Sequence, residues 1–376
     1  TPTSIFRYNS TTKVWVELYS SGSADQDDLW SVEVLNDILC STNRVDAPQQ
    51  WDGAAGSTSA QTMPSNVTKP QHYRVFQRRL WMGDYTDTGN RVPVTILPSA
   101  IGNPNSWDLT DAIILDAPAG DRVRGMELLS RDKLVVFTDN ALFDVTFLGG
   151  PLVWKTRRVI NGRGTTAPKS VATISESLVF LGADNIYAYN GQKTQAIGDK
   201  IKDTLTNEID PTHRDKSVGW SIEELNLYIL LYVPNGASTK TKAVVFDFAR
   251  GDWFDWEFSK AINVIGAWKR ESTLLWKDLV DPWDSYEVAW DDRKFLADTP
   301  TVLLGDYVGL VSEFRQANDD AGTEIDSLWE SHWNDLGDPN RYKNLLELEV
   351  VADANDSTSL KFDIFVDGDT SVVAGT

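Results

Sequence analysis

The chain has 376 residues, 41% of them hydrophobic, enough for one large or two medium domains with a sizeable buried core. Its 55 acidic against 35 basic residues give a formal net charge of -20, a surface that repels phosphate backbones and anionic membranes and argues against a nucleic-acid binder. The single cysteine, Cys40, excludes an intrachain disulfide framework, and the apolar run LYILLYV (227–233) is far shorter than the about 20 residues that span a bilayer.

No signal-peptide pattern opens the chain, and its first residue is Thr1 rather than Met, which reads as a piece of a longer product. The first element, SIFRYNSTTKVWVEL (4–18), reads as a hairpin, the outer half of a sheet completed elsewhere. From Trp30 a loose repeat begins, with further units near Tyr73, Val123, Ser170, Ser217 and Val264. Within the units, LVVFT (134–138), SLVFLG (177–182), NIYAYN (185–190), LYILLYV (227–233), AVVFDF (243–248) and TVLLGD (301–306) are β-branched and aromatic runs, mostly punctuated by Gly, Asn, Asp or Ser. Helical periodicity is scarce. QAIGDKIKDTLTNEID (195–210) repeats Ile197, Ile201 and Leu205 at four-residue intervals before Pro211, which predicts one or two helical turns between sheets. After Asn318 the pattern changes to two long alternating strands around LLELEVVAD and LKFDIFVDGD, with Leu346, Leu348 and Val350 opposite Glu347 and Glu349.

About six units of roughly 40–50 residues, each with short antiparallel strands, predict an all-β chain folded as a β-propeller. Packing such sheets radially buries both faces of each, and closing the ring leaves only short edges. Residues 1–318 are assigned to the propeller, with the N-terminal strands completing the last unit near VGLVSEF (308–314), and residues 319–376 to a C-terminal β-extension. The alternative is a pair of β-sandwiches built from the same hairpins. Fifteen tryptophans, most of them beside turns, suit packing between repeated sheets.

Motifs that carry chemistry are missing. His72, His213 and His332 have no metal-ligand spacing, there is neither H-E-x-x-H nor C-x-x-C, and no G-x-S-x-G marks a nucleophile. ADQDDLW (24–30), WDDRKF (290–295) and NDDAGTE (318–324) lack the spacing of a calcium loop and read as solvated turns. GRGTTAP (162–168) lacks the lysine and helix of a phosphate loop. No cofactor, metal or catalytic residue is expected, and no enzyme activity.

Several phrases, taken in order, carry a resemblance. CSTNRVDAPQQWDG (40–53), RLWMGD (79–84), ILPSAIGNPNSWD (96–108), GDRVRGMELLSRDKLVVFTDNALFDV (120–145), FDFARGDWFDW (246–256) and GDPNRYKNLLELEV (337–350) resemble phrases of the propeller-containing tail hub and nozzle proteins of tailed, especially short-tailed, bacteriophages. The resemblance covers about Ser4 to Asp369 and rests on turn-and-tryptophan phrases.

It implies a virion structural protein of the tail, forming a ring with copies of itself, hexameric in expectation. Adapter- or portal-side and distal tail proteins would dock on that ring. DNA would pass without specific binding, and no membrane would be involved. Trp107, Trp253 and Trp256 are then structural turn anchors and Lys343 an interface contact; a buried intrachain anchor and a solvated lysine are the alternatives. Two other functions fit the same strands. One is a carbohydrate-binding or glycan-cleaving propeller, a receptor-binding module with exposed Trp faces and paired carboxylates. The other is a bacterial scaffold propeller.

Overall fold

The structure, a computed structural model, describes residues 30–149 and 153–269 apart from positions 55 and 175, residues 300–314, parts of 3–24 and scattered positions between 319 and 365. Its architecture follows from one property of the middle strands, which are apolar on both faces. Along Lys133–Thr138, Leu134 and Val136 enter one core while Val135 and Phe137 enter the next. Along Ser177–Leu181, Leu178 and Phe180 face one core, Val179 and Leu181 another. Leu227–Tyr232 repeats the split, with Tyr228, Leu230 and Tyr232 on one side and Ile229 and Leu231 on the other. Successive side chains of a strand point to opposite faces, so such strands hide both sets only when their sheet is covered on each side.

Consecutive sheets supply that cover. Blade 1 comprises Ser31–Leu35, Ile38–Thr42, Gln49–Trp51 and Ser59–Ala60. Blade 2 comprises His72–Phe76, Arg79–Asp87, Asn90–Ala100 and Asn103–Trp107, with short strands Val67–Thr68 and Ile113–Ile114 at its margins. Blade 3 is Val123–Ser130, Lys133–Thr138, Ala141–Phe147 and Trp154–Asn161, and blade 4 is Ala172–Ile174, Ser177–Leu181, Ile186–Tyr189 and Thr194–Ala196. Blade 5 is Val218–Ile222, Leu227–Tyr232, Lys242–Asp247 and Asp252–Glu257. The described strands of blade 6 are Ile262–Trp268, Thr301–Asp306 and Val311–Glu313. Every described pairing is antiparallel and, apart from those of the added short strands of blade 2, joins strands consecutive in sequence; the first strand of each blade lies against the first strand of the next. Buried clusters fill each of the spaces from blade 1 to blade 6. The chain is a six-bladed β-propeller.

The N-terminal strands Ile5–Asn9 and Val14–Tyr19 pair with each other. This hairpin touches both ends of the ring: Tyr8 meets Trp268 of blade 6 edge-on at 6.0 Å, and the Thr58 amide donates to the Leu18 carbonyl at 2.9 Å beside blade 1. Between blades 4 and 5, a 3-10 turn at Asp199–Ile201 leads to a π-helical turn at Thr204–Glu208, burying Ile201 and Leu205 with Ile197 packed alongside. The chain divides into Thr1–Thr323 and Glu324–Thr376. In the second unit few residues are described; Ile325 and Leu328 are exposed and Lys361 pairs with Asp363 at 3.0 Å. The alternating strands expected around LLELEVVAD and LKFDIFVDGD fall, for most of their length, outside the described residues.

Candidate functional site

The six first strands surround an axial channel of about 1400 Å³. Glycine permits the close approach this needs: a Cβ at Gly219 would overlap the Ser170 carbonyl oxygen, which lies just before the first strand of blade 4. An ionic network runs along one side of the channel wall. Glu33, Arg74 and Glu127 stand on the first strands of blades 1, 2 and 3, each flanked by apolar neighbours in SVEVL, HYRVF and GMELL. Arg74 Nη1 donates to Glu33 Oε1 at 2.8 Å, and Nη2 donates to Glu127 Oε1. Lys169, on the lead-in to blade 4, donates from Nζ to the Trp30 carbonyl at 3.2 Å. Blades 4 to 6 line the channel with Thr173, Trp220, Ser221, Asn263 and Val264, and with the carboxylates of Glu223 and Asp306.

Two carboxylates and two cations thus meet in a partly dehydrated space. Burial pushes the Glu127 carboxyl above its ordinary range, opposed by the Arg74 guanidinium and by a hydrogen bond from the Leu128 amide. Burial likewise pushes the Lys169 ammonium down, opposed by Glu33 and Glu127. Desolvation disfavours the charged form of each group, while the opposite charges restore it. Arg74 occupies both carboxylates, so the network neutralises itself and acts as a clasp between blades 1, 2 and 3.

Cys40 lies away from the channel in the core between blades 1 and 2, where burial pushes its thiol up to about 12. His213 sits beside Asp210 at 3.3 Å, and His332 lies outside the described residues. Among the described residues no group of three or more His, Cys, Asp and Glu gathers as a metal site, and no helix is long and apolar enough to cross a membrane. Of the acidic stretches, 290–295 and most of 24–30 lie outside those residues, while in 318–324 the short strands Asp319–Asp320 and Thr323–Glu324 pair with each other.

The residues singled out as anchors occupy outer strands. Trp107 ends the last long strand of blade 2 and packs on the core between blades 1 and 2. Trp253 and Trp256 share the outer strand of blade 5 three residues apart and so face opposite sides. Trp253 stacks on Phe246 at 4.8 Å, and its Nε1 donates to the Ile197 carbonyl next to blade 4 at 2.9 Å. Trp256 meets Phe314 at 5.7 Å in the core between blades 5 and 6. The turn between this strand and its predecessor is held by Asp247 Oδ1, which accepts the amides of Ala249 and Arg250 at 2.8 and 3.2 Å. Lys343 lies outside the described residues. The channel clasp was missed from sequence, because Arg74 is 41 positions from Glu33 and 53 from Glu127. One signal was available: a charged residue flanked on both sides by apolar ones in the first strand of three successive units.

No protein-family model and no curated protein matches the chain. Among solved structures, a computationally designed protein, Ika8, is 12% identical, with a TM-score of 0.43 over 79% of this chain and 73% of its own. Dihydro-heme d1 dehydrogenase NirN is 9% identical, with a TM-score of 0.49 over 84% of this chain and 59% of its own. BamB from Moraxella catarrhalis is 9% identical, with a TM-score of 0.43 over 77% and 84% respectively. The propeller assignment rests on the sheet order and the cores between blades rather than on these likenesses.

Proposed function

We propose that the chain is a structural component of a bacteriophage tail, at the hub or nozzle, working as a rigid propeller that assembles into a ring around the DNA exit path. The observation that carries the reading is an exposed apolar wall. Phe6, Trp15, Val32, Val264, Val308 and Leu310 all line the channel, each 40% or more exposed and Val308 81%. Exposed apolar side chains gathered in one cavity mark an interaction site, and a neighbouring subunit or tail protein is the occupant that the resemblance supplies. The resembling phrases within 40–256 fall on strands of blades 1, 2, 3 and 5 and the turns between them, so the likeness follows the architecture. The charge of -20 suits a conduit that does not retain DNA. On this reading ring copies, hexameric in number, contact adapter- or portal-side proteins on one side and distal tail proteins on the other, and the propeller carries no catalysis.

A glycan-binding reading has one observation in its favour: Trp15, Trp30 and Trp220 line the same channel, where aromatic faces suit sugar stacking. Electron microscopy of the full chain, alone and mixed with a portal–adapter complex, separates the two. Rings that seat on the portal support the tail reading. Lone particles that ignore the portal and give a specific signal on a glycan array overturn it.

A further inference from the structure

The sequence places asparagine before glycine at three points, Asn161–Gly162, Asn190–Gly191 and Asn235–Gly236. Such a pair can close on itself, because glycine has no Cβ to shield its amide nitrogen from the asparagine side chain. The structure separates the three. At Asn161–Gly162 the nucleophile is engaged: the Gly162 amide donates to the Asn140 carbonyl at 2.6 Å. At Asn190–Gly191 the electrophile is engaged: Asn190 Oδ1 accepts the amides of Gln192 and Lys193, each at 3.1 Å. Gly191 is also buried, its Cβ position only 2.9 Å from Leu129 Cδ2.

Asn235 and Gly236 lie in the loop between the second and third strands of blade 5, and both are exposed. The main chain on either side is held, the Asn235 amide donating to the Glu208 carbonyl at 2.6 Å and the Ala237 amide to the Pro234 carbonyl at 2.9 Å. Among the described residues, neither the Asn235 side chain nor the Gly236 amide has a hydrogen-bond partner. No atom beyond its chain neighbours comes within 4 Å of the Gly236 Cβ position, so the nitrogen stands in open space.

We infer that Asn235 is a site of spontaneous deamidation, the pair that reacts first in the folded chain. The Gly236 nitrogen attacks Asn235 Cγ and a new N–Cγ bond forms. The Cγ–Nδ2 bond breaks, and ammonia leaves with the proton of the Gly236 amide. Water then adds to either carbonyl of the five-membered imide and breaks its bond to nitrogen. Opening on one side gives aspartate; opening on the other gives isoaspartate, whose main chain is one carbon longer. Either product adds a negative charge beside the Glu208 main chain. Nothing in this chemistry depends on the tail reading.

The test is incubation of the full chain, folded and in urea, in mildly alkaline buffer, with peptide mass spectrometry at intervals. Each hydrogen bond that must break before closure slows it by about fivefold. The expected result for the folded chain is therefore earliest product at Asn235, about fivefold slower conversion at Asn161, and slower still at Asn190. In urea the three rates converge, since only the shared Asn–Gly chemistry remains. Hydroxylamine, which cleaves the imide, is expected to cut the folded chain between Asn235 and Gly236. No product at Asn235 in the folded chain, or conversion at Asn161 or Asn190 that matches it, overturns the inference.

Discussion

At the scale of single residues, the ring is tied by buried polar atoms that cross from one blade to the next. Asp144 of blade 3 has a side chain 2% exposed and accepts from Arg157 Nη2 at 2.8 Å and from the hydroxyl of Tyr189, on blade 4, at 2.9 and 3.0 Å. Arg157 is more than half exposed and re-solvates readily, whereas Tyr189 is fully buried. Asp144→Ala is therefore expected to cost about 2 kcal/mol, dominated by the stranded tyrosine hydroxyl, and Tyr189→Phe about 1 kcal/mol, both read from urea midpoints. In the channel clasp, Glu127 has a folded pKa raised above the ordinary 4.5. Between 4.5 and that raised value the native state binds more protons than the unfolded one, so the stability contributed by this group falls as pH rises through the window. Glu127→Gln removes that slope. Across a pH series of urea melts, its stability relative to wild type is expected to shift in its favour as pH climbs; a shift the other way contradicts the assigned environment. None of these partners was legible in the sequence, because cross-blade pairs such as Asp144 and Tyr189 stand 45 positions apart and nothing local fixes their meeting.

At the scale of the element, much more was legible. LVVFT, SLVFL and LYILLY are apolar at every position that matters, and this double-faced pattern separates a strand sandwiched between sheets from one with a single solvated face. Unit starts read at Trp30, Tyr73, Val123, Ser170, Ser217 and Val264 fall within two residues of first strands beginning at Ser31, His72, Val123, Ala172, Val218 and Ile262. The helical turns at 195–210 were legible from Ile201 and Leu205, which are buried in the core between blades 4 and 5; their 3-10 and π geometry was not, since periodicity at four residues does not distinguish these from an α-helix. Trp253 tests how outer strands join adjacent blades. Trp253→Phe keeps the ring against Phe246 and loses the bond to the Ile197 carbonyl, an expected loss of about 1 kcal/mol, while Trp253→Ala also opens a cavity and is expected to cost about 3 kcal/mol. Equal effects of the two in thermal melts would place the energy in the hydrogen bond alone.

At the scale of the whole molecule, the propeller is a ring of sheets whose faces cover one another, with a self-neutralised clasp on one side of its channel and exposed apolar side chains along the same wall. The number of blades was legible because a repeat of hairpins leaves a simple sequence trace. The channel wall was not, because it is assembled from one short strand per blade, and its exposed apolar residues look in sequence like any other strand residue. The central claim is that this wall is covered by other subunits in an assembly. Sedimentation velocity of the full chain beside a Val308→Glu/Leu310→Glu double variant tests it most directly, since both positions are more than half exposed and add charge without disturbing a core. The expected result is a ring of several chains for the wild type and single chains for the variant at the same concentration. A wild type that sediments as one chain throughout, or a variant that assembles equally well, contradicts the claim.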